Sequence, residues 1–141
     1  MRLGTMTSLF RDRRECAEHF GYIESIQRCR KAGFTVLDMN LCALNRRQTT
    51  LHLDNWQEQV DEIRNEAERL GCVFSQSHPP YRRGREGTFA TAEEEAFFRA
   101  MSLRALEITA MLGAKWAVIH PVMDVTADNN DVDAHVRYNQ Q

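Results

Sequence analysis

The chain has 141 residues, 43% of them apolar and 27% charged, and 18 Lys plus Arg nearly balance 20 Asp plus Glu to leave a formal net charge of -2. That balance gives no electrostatic footprint for duplex nucleic acid, although 16 of the basic residues are Arg, whose planar fork suits phosphate or carboxylate. No apolar run approaches the roughly 18 to 20 residues that span a bilayer, and no hydrophobic signal core follows Met1, so one cytosolic globular domain is expected over 1–141, with neither nucleic acid nor membrane as partner.

The first predicted element is a strand near 2–7. A short amphipathic helix follows from Ile23 to Ala32, with Ile23, Ile26 and Cys29 or Arg30 at three- and four-residue steps and Arg28, Arg30 and Lys31 favourably placed near its C-terminal dipole. Gly33 stops it, and Phe34 to Met39 reads as the second strand. A long polar connection over 40–54 leads to a helix from Asn55 to Leu70, whose apolar stripe is Trp56, Val60, Ile63, Ala67 and Leu70, with Asp54 or Asn55 as N-cap. After Gly71 comes a third strand, Cys72 to Ser77, and then a second long loop from Pro79 to Thr91. Thr91 with Glu94 forms a capping box at the start of a helix from Ala92 to Leu112, and Glu93 to Glu95 suit its first turn. Gly113 precedes a fourth strand near 115–120, and a polar tail over 124–141 reads as solvated loop, its Asp cluster lacking the glycine and terminal Glu of a calcium loop.

One grammar thus recurs three times: helix, Gly stop, short apolar run. Alternating strands and helices imply an α/β fold of order βαβαβαβ with a parallel sheet and right-handed crossovers. The long loops follow the strands and the short ones follow the helices, so the C-terminal ends of the strands are the expected functional end.

Two histidines stand there. His78 and His120 each follow an apolar strand and each precede a proline, which favours extended backbone and a fixed rim position, and both are expected to point into one mouth. A neutral imidazole at such a place ligates a metal, accepts a proton or hydrogen-bonds a hydroxyl; the alternative is a strand-end histidine satisfied by a backbone carbonyl. Alternation sends Leu37 and Met39 to one face and Asp38 and Asn40 to the other, where Asp38 and Asn40 either join the histidines around sugar hydroxyls or, for Asp38, cap the loop. Tyr81 with Arg82, Arg83 and Arg85, around Gly84 and Gly87, forms a basic loop that either covers an anionic substrate or is merely solvated. His19, His52 and His135 lie in polar contexts and read as solvated, and Cys16, Cys29, Cys42 and Cys72, without a C-x-x-C pair, as reduced, partly buried thiols. No dinucleotide fingerprint, Walker loop, H-E-x-x-H or G-x-S-x-G occurs, which turns the reading towards metal or acid-base sugar chemistry.

The runs Phe34-Thr35-Val36-Leu37-Asp38, Ser75-Gln76-Ser77-His78-Pro79-Pro80-Tyr81 and Trp116-Ala117-Val118-Ile119-His120-Pro121, in this order and spacing, resemble the xylose-isomerase-like TIM barrels, the sugar phosphate isomerases and epimerases. The resemblance implies a parallel (βα)4 half of a TIM barrel, since a full barrel takes about 250 residues. It implies a sugar or sugar phosphate bound at the strand C-terminal ends, with His78 and His120 as substrate-contacting positions, and the residue pattern adds Asp38, Asn40 and Tyr81 as further candidates beside them. It further implies a divalent metal (manganese, magnesium, cobalt or zinc) in the full-length family, whose ligands come mainly from the last four strands and so are not supplied by this chain alone. Where the family often ends its second strand in Glu, this chain has Asp38. The expectation is therefore the N-terminal half of a metal-dependent sugar or sugar-phosphate isomerase/epimerase, a homo-oligomer through its exposed strand edges. Two alternatives stand beside it: a non-catalytic self-associating half-barrel module, and an endonuclease-like metal phosphodiesterase in which His78 and His120 are metal ligands.

Overall fold

Three glycines decide where the helices stop and the strands begin. Gly33, Gly71 and Gly113 all have positive φ (95°, 67° and 69°), a conformation that costs a side-chain-bearing residue energy. Each glycine N–H bonds back three residues, and the next N–H reaches back five, from Phe34 to Cys29, Cys72 to Ala67 and Ala114 to Thr109. This is the same C-terminal closure used three times. It also commits the amide after each glycine to the preceding helix, so the strands start later than the apolar runs predict.

The computed structural model describes residues 3–9, 21–47, 49–81, 91–120, 132, 133 and 136. Its elements are β1 (Gly4–Met6), α1 (Tyr22–Lys31), β2 (Val36–Asn40), α2 (Trp56–Arg69), β3 (Val73–His78), α3 (Ala92–Met111) and β4 (Trp116–Ala117), with short 3-10 turns at Leu44–Arg46 and Thr50–His52. The expected basic loop of Arg82, Arg83 and Arg85, the tail over 124–141 apart from 132, 133 and 136, and Cys16, His19 and His135 lie outside the described residues.

The four strands form one parallel sheet in the order β1-β2-β3-β4, the α/β alternation expected from the sequence. The fourth strand is shorter than the predicted run near 115–120. It pairs with β3 at Gln76 and Ser77, and two flanking bonds run from the Lys115 N–H to the Ser75 carbonyl at 3.3 Å and from the Val118 N–H to the Ser77 carbonyl at 2.8 Å. Beyond that, β3 gives way to Pro79 and Pro80, which have no N–H with which to continue a ladder.

The helices bury one stripe each. Ile26 and Cys29 of α1, Trp56, Val60, Ile63 and Ala67 of α2, and Met101, Ala105 and Ile108 of α3 join Leu37, Met39, Cys72 and Phe74 in a single core cluster. Thr91 accepts a hydrogen bond from the Glu94 N–H at 3.1 Å, as the capping pattern predicts. Asn55 occupies the cap position of α2 without a side-chain cap; its backbone is not extended, and its Oδ1 instead accepts from Gln59 at 3.0 Å. His52 is half-buried rather than solvated: its Nδ1 bonds the Thr49 carbonyl, and the turn that carries it is gripped by Arg104, which donates to the carbonyls of Leu51, His52 and Leu53 while stacking on Trp56.

Candidate functional site

Alternation along β2 places Leu37 and Met39, both fully buried, against the helices and leaves Val36, Asp38 and Asn40 on the opposite face. On β3 simple alternation fails. Phe74 and Ser77 both face the helix layer, Phe74 in the core and Ser77 through a buried 2.6 Å hydrogen bond with Thr109 of α3. The reason is a shift of register: Leu37 pairs with Phe74 but Asp38 with Gln76, so Ser75 is an extra residue in the ladder. Without it, the residues two and four beyond Phe74, which are Gln76 and His78, would point into the core. With it, both stand on the face of Asp38.

This bulge assembles the site. The Asp38 carboxylate accepts from His78 Nδ1 at 2.8 to 2.9 Å and from Gln76 Nε2 at 2.7 Å. The side chains of His78 and Asp38 are only 16% and 13% exposed, so the pair is shielded while still reaching the sheet end. The His78 ring lies 5.8 Å from that of His120, and the His120 ring 5.0 Å from that of Tyr81, tilted by 36° and 52°. The four side chains come from the ends of β2 and β3 and the segments after β3 and β4, all at the C-terminal end of the sheet. The His78 backbone is held as well, its carbonyl accepting from the Leu41 N–H at 2.9 Å.

Of the five residues singled out from sequence, four therefore converge: His78, His120, Asp38 and Tyr81. Asn40 is in register with His78 but its side chain turns towards β1, donating to Ser8 Oγ at 2.9 Å and accepting from the Cys42 N–H at 3.0 Å. It braces the loops around the mouth instead of facing the histidines, and its own carbonyl accepts from the Tyr22 hydroxyl at 3.0 Å. Asp38, expected either to join the histidines around a sugar or to cap the loop, has His78 and Gln76 as its side-chain partners. Gln76 was missed by sequence reasoning. The bulge that turns it towards Asp38 depends on pairing with β2, and no residue in Val73-Phe74-Ser75-Gln76-Ser77-His78 announces it.

Among the described residues, no group of three or more His, Cys, Asp or Glu side chains is placed to hold a metal ion. His78 and His120 offer two imidazoles, and the neighbouring carboxylate is engaged by Gln76 and His78, which falls short of the three protein ligands of an open catalytic metal site. Among the described residues, no helix is long and apolar enough to cross a membrane.

No protein-family model matches this chain, and no curated protein does. Among solved structures, it is similar to a D-psicose 3-epimerase determined in the presence of D-fructose, with a TM-score of 0.57 and 17% sequence identity over 99% of this chain and 44% of that one. The chain thus spans less than half the length of the structure it matches. At this identity the likeness is one of fold, and it fits the four-stranded parallel sheet to part of an epimerase TIM barrel.

Proposed function

We propose that this chain forms the sugar-binding wall of an isomerase or epimerase acting on a ketose, an aldose or their phosphates, with the substrate seated at the C-terminal ends of β2, β3 and β4. The observation that carries the reading is the convergence of His78, His120 and Tyr81 beside a half-buried Asp38. Imidazole and phenol groups donate and accept hydrogen bonds, the chemistry needed to hold a polyhydroxylated ligand. The fold likeness to an epimerase supports the same reading.

In this reading His78 and His120 orient hydroxyls and Tyr81 closes one side of the mouth. A divalent metal and the carboxylates that move protons between carbons belong to a complementary half. Among the described residues, His78, His120 and their neighbours do not make a metal ligand set. Titration of the 141-residue chain with D-fructose, followed by NMR of the imidazole and Tyr81 ring protons, tests it. Shifts at His78, His120 and Tyr81, weakened about ten-fold in His78→Ala and again in His120→Ala, are expected. Unperturbed rings at saturating sugar concentrations, or shifts confined to other parts of the chain, would sink the assignment.

A further inference from the structure

A histidine presents two different faces to a ligand depending on which ring nitrogen carries the proton. At His78 that choice is made by the neighbours. Nδ1 is 2.8 to 2.9 Å from both oxygens of Asp38, and a carboxylate only accepts, so in the neutral ring the proton sits on Nδ1. Asp38 cannot easily swing away, because Gln76 Nε2 holds its Oδ2 at 2.7 Å and the carboxylate is 13% exposed. Three residues from two strands are thus linked in series, and the Ser75 bulge is what brings Gln76 and His78 to Asp38 together.

We infer that Asp38 and Gln76 are positioning residues that lock His78 as the Nδ1-protonated tautomer, so that Nε2 meets the ligand as a hydrogen-bond acceptor and selects a hydroxyl at that point. This deepens the sugar reading and rests on it for the identity of the ligand. The lock itself is a property of the chain alone. It accounts for Asp38 being shielded yet partnered, and it gives Gln76 a role: an amide donor that keeps the carboxylate facing the ring without adding a competing charge. Outer partners of this kind fix tautomer and ring orientation wherever a histidine must be precise.

The test separates the lock from the sugar. Long-range proton–nitrogen NMR of the His78 ring, at a pH where imidazole is neutral, is expected to show a protonated Nδ1 and a bare Nε2 in the unmodified chain. In Asp38→Ala the pattern is expected to move towards the Nε2-protonated form, and the D-fructose affinity to fall roughly ten-fold or more. In Asp38→Asn, whose amide oxygen still accepts from Nδ1, the tautomer is expected to persist. Gln76→Leu is expected to give a mixed pattern with His120 unchanged. A bare Nδ1 in the unmodified chain overturns the lock without any variant having to fold, and so does an Nδ1-protonated ring that survives Asp38→Ala. If the tautomer behaves as expected while D-fructose perturbs none of His78, His120 and Tyr81, the sugar reading fails and the lock stands.

Discussion

The two faces of the sheet are built from the same strands and have opposite fates. On one, Leu37, Met39 and Phe74 are buried beneath α1, α2 and α3. On the other, Val73 and Trp116 are 51% and 71% exposed, while the end carrying Asp38, Gln76 and His78 is half-buried and tied by its own hydrogen bonds. A TIM-barrel sheet has its outer face under helices and its inner face packed on itself. Here the first condition is met within the described residues and the second is not. The difference teaches that the packed core and the polar cluster of Asp38, Gln76 and His78 lie on separate faces, so substitutions on each are expected to report on different things.

The largest effect is expected on the covered face. Leu37→Ala removes a fully buried side chain from the middle of the core, for an expected loss of about 2 to 5 kcal/mol in urea unfolding. A loss under about 1 kcal/mol would break the comparison, because it would mean the helix side is no better packed than the open one. Next comes deletion of Ser75. Removing the extra residue leaves Phe74, Gln76, Ser77 and His78 in simple alternation, so Ser77 still meets Thr109 and His78 still faces Asp38. The expected cost is about 1 kcal/mol for straightening the strand, with the His78 tautomer signature retained. Loss of the signature would show that the bend of the bulge, and not the facing of the strand alone, sets the direction of His78.

How much of this was legible follows from the range of each interaction. The helices and their stops are local, and Gly33, Gly71 and Gly113 mark them because a positive φ is written in a single residue. The two faces of β2 follow from alternation at Leu37, Asp38, Met39 and Asn40. The convergence of His78 and His120 was legible as two strand ends in a parallel sheet. What stayed hidden depends on partners distant in sequence. The bulge at Ser75 exists only in the pairing of β3 with β2, 38 residues away along the chain at Gln76 and Asp38. The turn of Asn40 towards Ser8 needs β1 alongside, and the shortness of β4 needs the prolines that end β3. The engagement of Asp38 was likewise invisible, since a carboxylate at a strand end looks the same whether it meets a ligand or a neighbour.

A smaller effect, also confined to the covered side, involves the thiols. Cys29 and Cys72 are both buried, and burial pushes both thiols up from their ordinary value; for Cys29 the nearby Cys72 adds to the push, while Arg30 opposes it at Cys72. The folded chain therefore keeps these protons at a pH where the unfolded chain gives them up. The stabilisation this contributes is complete below the ordinary thiol pKa of about 8.5 and is lost as the pH rises through the raised folded values. Urea midpoints are expected to hold steady from about pH 6 to about pH 8 and decline by about pH 10, where the unfolded thiols are ionised. The Cys29→Ala/Cys72→Ala double variant, with a lower midpoint throughout, is expected to decline less. Parallel profiles for the two proteins would show that the thiols titrate alike folded and unfolded.

The smallest expected effect on the chain's own stability is on the open face, and it sharpens the comparison most. Trp116 sits in register with Gln76 on β4, and its ring is mostly in water, so little apolar area is removed from solvent when the chain folds. In dilute protein, Trp116→Ala is expected to change unfolding free energy by no more than about 0.5 kcal/mol. The same measurement at a hundred-fold higher concentration asks what lies over that edge. An exposed parallel strand is a template for another, and association stabilises the folded state by mass action. A melting temperature that rises with concentration in the parent chain but not in Trp116→Ala would place a second copy at β4. A melting temperature independent of concentration in both would show that no second copy pairs at β4, and a large loss in the dilute variant would mean the open face is already packed by the chain itself.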